Sequence, residues 1–200
     1  DSPETLTLPL DHPRSNDRAR RAAYVDFAIP AAQVTILEGL AQQERTTLFG
    51  VLLANYGITL ARLANQKSVV IGSPVAGRSR VETEGVIGFL VNTLALPLHF
   101  EAQSTGQECI ALAKRSIEAA LIDQELPFER LVEELGVARS LGQTPVFQAM
   151  LAYQPEVAPV LTLAGLRSKA RAITLPSAKF DLTLAIAPLH DGSLGAQFEY

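Results

Sequence analysis

The 200-residue sequence has one cysteine, one methionine, three histidines and no tryptophan. The single Cys109 excludes a disulfide framework and a cysteine-based zinc site. His12, His99 and His190 are scattered, and none has the i, i+4 partner of a helical metal site. They read as ordinary surface histidines, so no metal site is expected. No segment fits G-x-G-x-x-G, a P-loop or G-x-S-x-G. Gly72-Ser73-Pro74 imitates only part of a nucleophile elbow, and its proline is wrong for one. No apolar run reaches the length of about 18 residues that a membrane-spanning helix needs. Basic residues are also scarce: 17 Lys and Arg against 21 Asp and Glu give a net charge of −4, which argues against nucleic acid as a partner. The beginning, Asp1-Ser2-Pro3-Glu4, has no signal-peptide pattern, so the expected setting is cytoplasmic.

The remaining reactive groups also have plain structural readings. Cys109 falls in the first turn of an expected helix, but Ile110 and Leu112 beside it predict a packed, inert thiol. His190-Asp191-Gly192 is turn chemistry. Glu82, Glu84, Glu133 and Glu134 suit solvated faces. No complete catalytic apparatus is expected in this chain.

What is present is a globular pattern, with 48% hydrophobic and 19% charged residues. Residues 1–23 read as an extended opening segment, whose basic stretch from Arg14 to Arg21 suits a solvated linker. Tyr24 to Ile29 alternates as a strand and stops at Pro30. Residues 31–44 place Val34, Leu37 and Ala41 on one helical face. Thr47 can cap a second helix, Leu48 to Ala64, which is apolar almost all round and so is expected to be the buried spine. Ser68 to Gly72 is a β-branched strand covered on both faces. Residues 73–91 form a long loop, of the kind that tends to be functional. Leu94 to Phe100 alternates, and Pro97 confines it to an edge or a bulge. Thr105 to Glu108 fits a capping box opening a helix to Ile122, with Ile110, Ala113, Ile117 and Leu121 inward. Pro127 starts a shorter helix that Gly136 closes. Strands are expected at Val146–Tyr153, Leu166–Thr174, Phe180–Leu189 and Leu194–Tyr200, with Asp191-Gly192 turning the last hairpin. The fold class is a mixed α/β, α+β layered sandwich. The chain stops within its last strand, and the expectation is a piece of something larger.

Several short segments occur in an informative order. Asp11-His12-Pro13-Arg14 and Tyr24-Val25-Asp26-Phe27 come first. Gly72-Ser73-Pro74-Val75-Ala76-Gly77-Arg78 precedes Glu84-Gly85-Val86-Ile87-Gly88-Phe89-Leu90-Val91-Asn92-Thr93. Asp123-Gln124-Glu125-Leu126-Pro127-Phe128-Glu129 and Thr144-Pro145-Val146-Phe147-Gln148 follow. As a set they resemble the second half of a condensation domain from a nonribosomal peptide synthetase, over residues 6–200.

The resemblance implies a chloramphenicol acetyltransferase-like fold of the CoA-dependent acyltransferase superfamily, with two lobes around a tunnel. Residues 24–200 would be the C-terminal lobe, and the N-terminal lobe of the same domain would be its companion. Donor and acceptor peptidyl carrier proteins would bring in substrates on phosphopantetheine arms, next to an adenylation domain. No cofactor would be bound directly. The family's H-H-x-x-x-D-G motif is absent from these residues, so the chain alone is expected to be inactive. Residues 73–91, with Gly77, Gly85 and Gly88, resemble the loop forming the tunnel floor. Arg78 and Asn92 would line the tunnel or orient substrate, although each also has a structural reading. Thr144 to Tyr153 resembles a latch whose Phe147 and Leu151 would bury against the opposite lobe, leaving an apolar strand exposed in the isolated chain. One departure stands out: Asp123-Gln124-Glu125 replaces the usual His-Gln-Asp. The alternatives are a non-catalytic relative that recruits a partner enzyme or carrier protein, an epimerization lobe, and a free-standing acyl-CoA acyltransferase. The Gly88–Thr93 run looks more like the condensing type than the epimerizing one.

Overall fold

The computed structural model describes residues 5–11, 21–137, 144–157, 165–166 and 173–200. Strand β1 (Tyr24–Ile29) ends at Pro30, and helix α1 (Ala31–Gln43) follows at once, burying Val34 and Ala41. Helix α2 (Leu48–Leu63) begins where the Thr47 hydroxyl accepts from the Gly50 amide, one of the donors a helix start leaves unpaired. Its residues from Val51 to Ala54, with Tyr56, Leu60 and Ala61, are buried, as a helix apolar on most sides requires. Strand β2 (Ser68–Val75) and strand β3 (Asn92–His99) form an antiparallel pair. The arm between them holds one short helical turn, α3 (Val81–Glu84). Helix α4 (Gly106–Ile122) opens with the expected reciprocal Thr105–Glu108 capping box. Helix α5 (Phe128–Glu134) starts after Pro127, and Gly136 beyond it takes φ +59°. Strands β4 (Ala149–Tyr153), β5 (Leu182–Pro188) and β6 (Leu194–Glu199) complete the sheet.

The six strands run in the order β1-β6-β5-β4-β2-β3. Pairing is antiparallel except between β2 and β4 and between β4 and β5. One face, carrying Ile71, Leu96, Leu98, Leu151, Leu184 and Ile186, packs against α1, α2 and α4 in the main core. The opposite face is covered at the β2–β3 end, where Val70, Ala95 and Met150 meet Phe128, Val132, Phe147 and Phe180. Pro97 sits on edge strand β3, where a missing amide breaks no ladder hydrogen bond on the outer side.

Several sequence expectations need correcting. The ladder extends β2 to Val75, because Ser73, Pro74 and Val75 pair with Leu94, Thr93 and Asn92, so the unpaired arm is residues 76–91. Leu121 is 41% exposed rather than inward, and at this end of α4 the residues packed against the core are Ile117 and Ala120. The strand expected from Val146 begins at Ala149, because Val146 has φ +71° and the Phe147 amide donates to the Pro145 carbonyl across a three-residue turn. Of the strand expected over Leu166–Thr174, residues 167–172 lie outside the described residues, and Ile173 and Thr174 are not in a strand. Of the opening segment, residues 1–4 and 12–20 lie outside the described residues, and Leu6 is buried in the main core, its amide donating to the Gln148 side chain over 2.7 Å.

Candidate functional site

Arm 76–91 leaves the sheet through a tight base. Gly77 has φ +64°, and a Cβ there would overlap the Leu90 carbonyl oxygen, so glycine is required twice over. Gly85 and Gly88 have open space around them and no left-handed backbone, so of these three glycines only Gly77 is required by the local geometry. Arg78 reaches along the arm, and its Nη2 donates to the Val86 carbonyl at 3.0 Å. Its Nη1 is buried with no hydrogen-bond partner among the described residues.

Both ends of the arm are held by the connector between α4 and α5. On the outgoing side, Ser79 Oγ donates to Glu125 Oε1 at 2.8 Å. Arg80 Nε donates to Oε1 at 3.3 Å and Nη2 to Oε2 at 3.1 Å, a bidentate pair. The Ser79 and Arg80 hydrogen bonds hold the Glu125 carboxyl below its ordinary pKa. On the returning side, Asn92 Nδ2 donates to the Gln124 and Leu126 carbonyls at 2.9 and 2.7 Å. Asn92 Oδ1 accepts from the Phe128 amide at 3.1 Å, pairing a donor that the start of α5 leaves free. Both polar atoms of the Asn92 side chain are thus engaged with residues 124–128 of the same chain. Arg78 points along the arm, and the side chains on the outgoing side that sequence reasoning missed are Ser79 and Arg80. The one available signal was the altered Asp123-Gln124-Glu125 run.

The arm's apolar side chains are outside. Ile87 is 101% and Phe89 91% exposed, with Val81, Val86 and Val91 also exposed. A cluster of large apolar side chains in water is the mark of a surface that another body covers.

Beyond Phe147, the sheet face opposite the main helices carries no packed layer among the described residues. The strand pairings put Asp26, Gln197, Ala185 and Ala152 in one line across four strands. With Pro74, Ala187 and Gly195 they line an open groove of about 510 Å³. Its floor is small side chains, and Gln197 Nε2 donates to Asp26 Oδ1 at 2.7 Å at one end.

The latch residues are corrected. Phe147 and Leu151 are 1% and 0% exposed, packed inside this chain rather than left as an exposed apolar strand. β4 lies between β2 and β5 in mid-sheet, so Leu151 faces the main core. Phe147 lies against Gly72, where a Cβ would overlap its ring, and contacts Phe128 and Phe180 at centroid distances of 5.3 and 5.2 Å. Beside it, buried Gln148 ties three segments together. Its Oε1 accepts from Leu6, its Nε2 donates to the Thr144 carbonyl, and its own carbonyl accepts from Asp181.

His99 and His190 are on the surface. His99 bonds Ser68 Oγ through Nδ1 at 2.7 Å and Glu101 through Nε2 at 3.2 Å, a solvated network at the end of the sheet. Cys109 is buried, and burial pushes its thiol pKa up, as an inert packed thiol requires. Asp191 turns the last hairpin by accepting from the Ser193 amide at 3.0 Å, with Gly192 at φ +82°.

The chain's mixed sheet, with helices on one face and a groove on part of the other, is a fold that solved proteins share. It superposes on holo-AB3403, a four-domain nonribosomal peptide synthetase, with a TM-score of 0.84 at 23% identity, covering 100% of this chain and 16% of that one. It superposes on the X-domain from teicoplanin biosynthesis with a TM-score of 0.88 at 22% identity, covering 100% of this chain and 46% of that one. In sequence, residues 1–200 match the condensation domain family, and the chain belongs to it. It is 38% identical over 199 residues to the malpinin synthetase of Mortierella alpina, covering 100% of this chain and 3% of that protein. It is 43% identical over 152 residues to the phosphinothricin tripeptide synthetase PhsB of Streptomyces viridochromogenes, covering 76% of this chain and 13% of that protein. The chain therefore spans only a small part of the length of these relatives.

Proposed function

We propose that this chain is the C-terminal lobe of a condensation domain and forms one wall of the tunnel in which a nonribosomal peptide synthetase makes an amide bond. The carrying observation is the arm, whose apolar tip at Ile87 and Phe89 projects from an anchored base with nothing among the described residues to cover it. The companion that fits is the N-terminal lobe of the same domain. Residues 76–91 then pass beneath the tunnel as its floor, and the groove over Ala152, Ala185 and Gly195 supplies a wall with room for an acyl chain.

In this reading, donor and acceptor aminoacyl groups arrive on the phosphopantetheine arms of two peptidyl carrier proteins, and an adjacent adenylation domain supplies the activated amino acids. The acceptor amine attacks the donor thioester carbonyl, the C–N bond forms, the C–S bond breaks, and the thiol leaves. This lobe shapes and shields the path, while the histidine that handles the proton belongs to the companion lobe. The 200-residue chain alone is then inactive, and the setting is cytoplasmic. The test loads donor and acceptor carriers and follows the full-length protein by intact-protein mass spectrometry. Transfer of the donor acyl group to the acceptor arm supports the reading. No transfer by the full-length protein, together with binding of a separate enzyme, would replace it with the partner-recruiting one.

A further inference from the structure

We infer that Glu125 is a positioning residue for arm 76–91, acting through Arg80 and Ser79, and that this clamp sets where the arm's apolar tip points. The inference rests on the tunnel-floor reading only for its effect on catalysis. The connector from Asp123 to Pro127 is a firm platform. Before it, α4 is fixed in the main core by Cys109, Ile110 and Ala113. After it, α5 is fixed by Val132 against Phe147.

The platform grips the arm's two ends differently. The Asn92 grip reaches two carbonyls and an amide of the connector, so it works with almost any side chains at those positions. The Glu125 grip is made by side chains alone, and it holds the outgoing limb at two successive residues. Between these two anchors the hydrogen bonds are local to the arm, among them Thr83 to Arg80 and Val86 to Thr83. Rotation of the outgoing limb about its Gly77 base is therefore opposed chiefly at Glu125, and that rotation swings Ile87 and Phe89.

The Arg80 and Glu125 side chains are 69% and 59% exposed, which sets the size of the effect. Exposed pairs correspond to changes of about two- to five-fold. The test uses the full-length protein with Glu125→Arg, Arg80→Glu and the double reversal. Hydrogen exchange of peptides within residues 79–91 should quicken about two- to five-fold in each single variant. The kcat for condensation should fall by a similar factor, with KM little changed. The double reversal should restore both, because the charges are exchanged rather than lost. Single variants with unchanged exchange, or a double reversal that rescues nothing, would overturn the inference. Should a reversal prevent folding, Glu125→Gln reads the same coupling: its arm exchange should lose the salt sensitivity of the parent, and retained sensitivity overturns the clamp. Exchange that responds and is rescued in a protein that forms no amide bond would uphold the clamp and remove the condensation reading.

Discussion

The β2–β3 hairpin and the arm it carries both hold large aliphatic side chains, with opposite fates. Ile71 in β2 is 0% exposed, while Ile87 in the arm is 101% exposed. The difference is backbone pairing. From Ser68↔His99 to Val75↔Asn92 the ladder holds every other side chain against α2 and α4. Beyond Val75 the chain turns at Gly77, the ladder stops, and the same kinds of residue have no core to enter. Hydrophobicity alone did not decide burial here; register did.

The hardest way to break the contrast is from inside the body. Phe147→Ala should destabilise the full-length domain by about 3–5 kcal/mol, read from its denaturant midpoint, because the ring fills the space over Gly72 between Phe128 and Phe180. A loss under about 1 kcal/mol would mean that the ring leaves this lobe in the assembled protein, as a latch would require.

Asn92→Asp sits at the boundary between the two regions and should come next, at about 1–3 kcal/mol. The substitution keeps the shape and the acceptor for Phe128, but turns a donor amide into an oxygen facing the Gln124 and Leu126 carbonyls. Thermal unfolding with exchange of the Phe128 amide measures it. If condensation fell while both were unchanged, Asn92 would be a substrate-orienting residue after all.

Acid sharpens the comparison, because each region has a carboxylate held below its ordinary pKa. Glu108 owes this first to the Thr105 amide in the body's capping box, and Glu125 to Ser79 and then Arg80 at the arm. A lowered folded pKa means that the unfolded chain binds more protons, so each contribution is complete above the ordinary carboxylate pKa of about 4.3 and fades as pH falls through the lowered value. Glu108→Gln should therefore be less stable than the parent at about pH 7 and close to it near about pH 3, in global urea unfolding. Glu125→Gln should show the same pH pattern only in exchange of residues 79–91. Global unfolding that responds equally to both would mean that body and arm unfold as one unit.

What sequence could show follows the range of each interaction. Pro30 ending β1, Thr47 capping α2, Thr105 and Glu108 boxing α4 and Gly136 closing α5 are effects within four residues, and all were readable. Membership of the condensation domain family was readable from the ordered segments. The place of β4 was not, since parallel pairing with β2 joins Ile71 to Ala149 and leaves no local trace. The inward turn of Phe147 needs Gly72 beneath it, and the engagement of Asn92 needs residues 124–128 beside it. Sequence could name these residues as important and still misassign what they touch.

The smallest expected effect on stability is the most informative about the arm. Phe89→Ser removes a ring that is 91% exposed, so the isolated chain's denaturant midpoint should move by no more than about 0.5 kcal/mol. In the full-length protein the same change should cost much more if the companion lobe buries the ring, since burying a Phe side chain contributes about 1.5–3 kcal/mol. The comparison is a difference of differences between chain and full-length protein, and Leu98→Ala is its control, because Leu98 is 1% exposed in the chain itself. The control should cost about the same in both settings. Equal small losses for Phe89→Ser in both would leave the arm in water and remove the reason to place it beneath a second lobe.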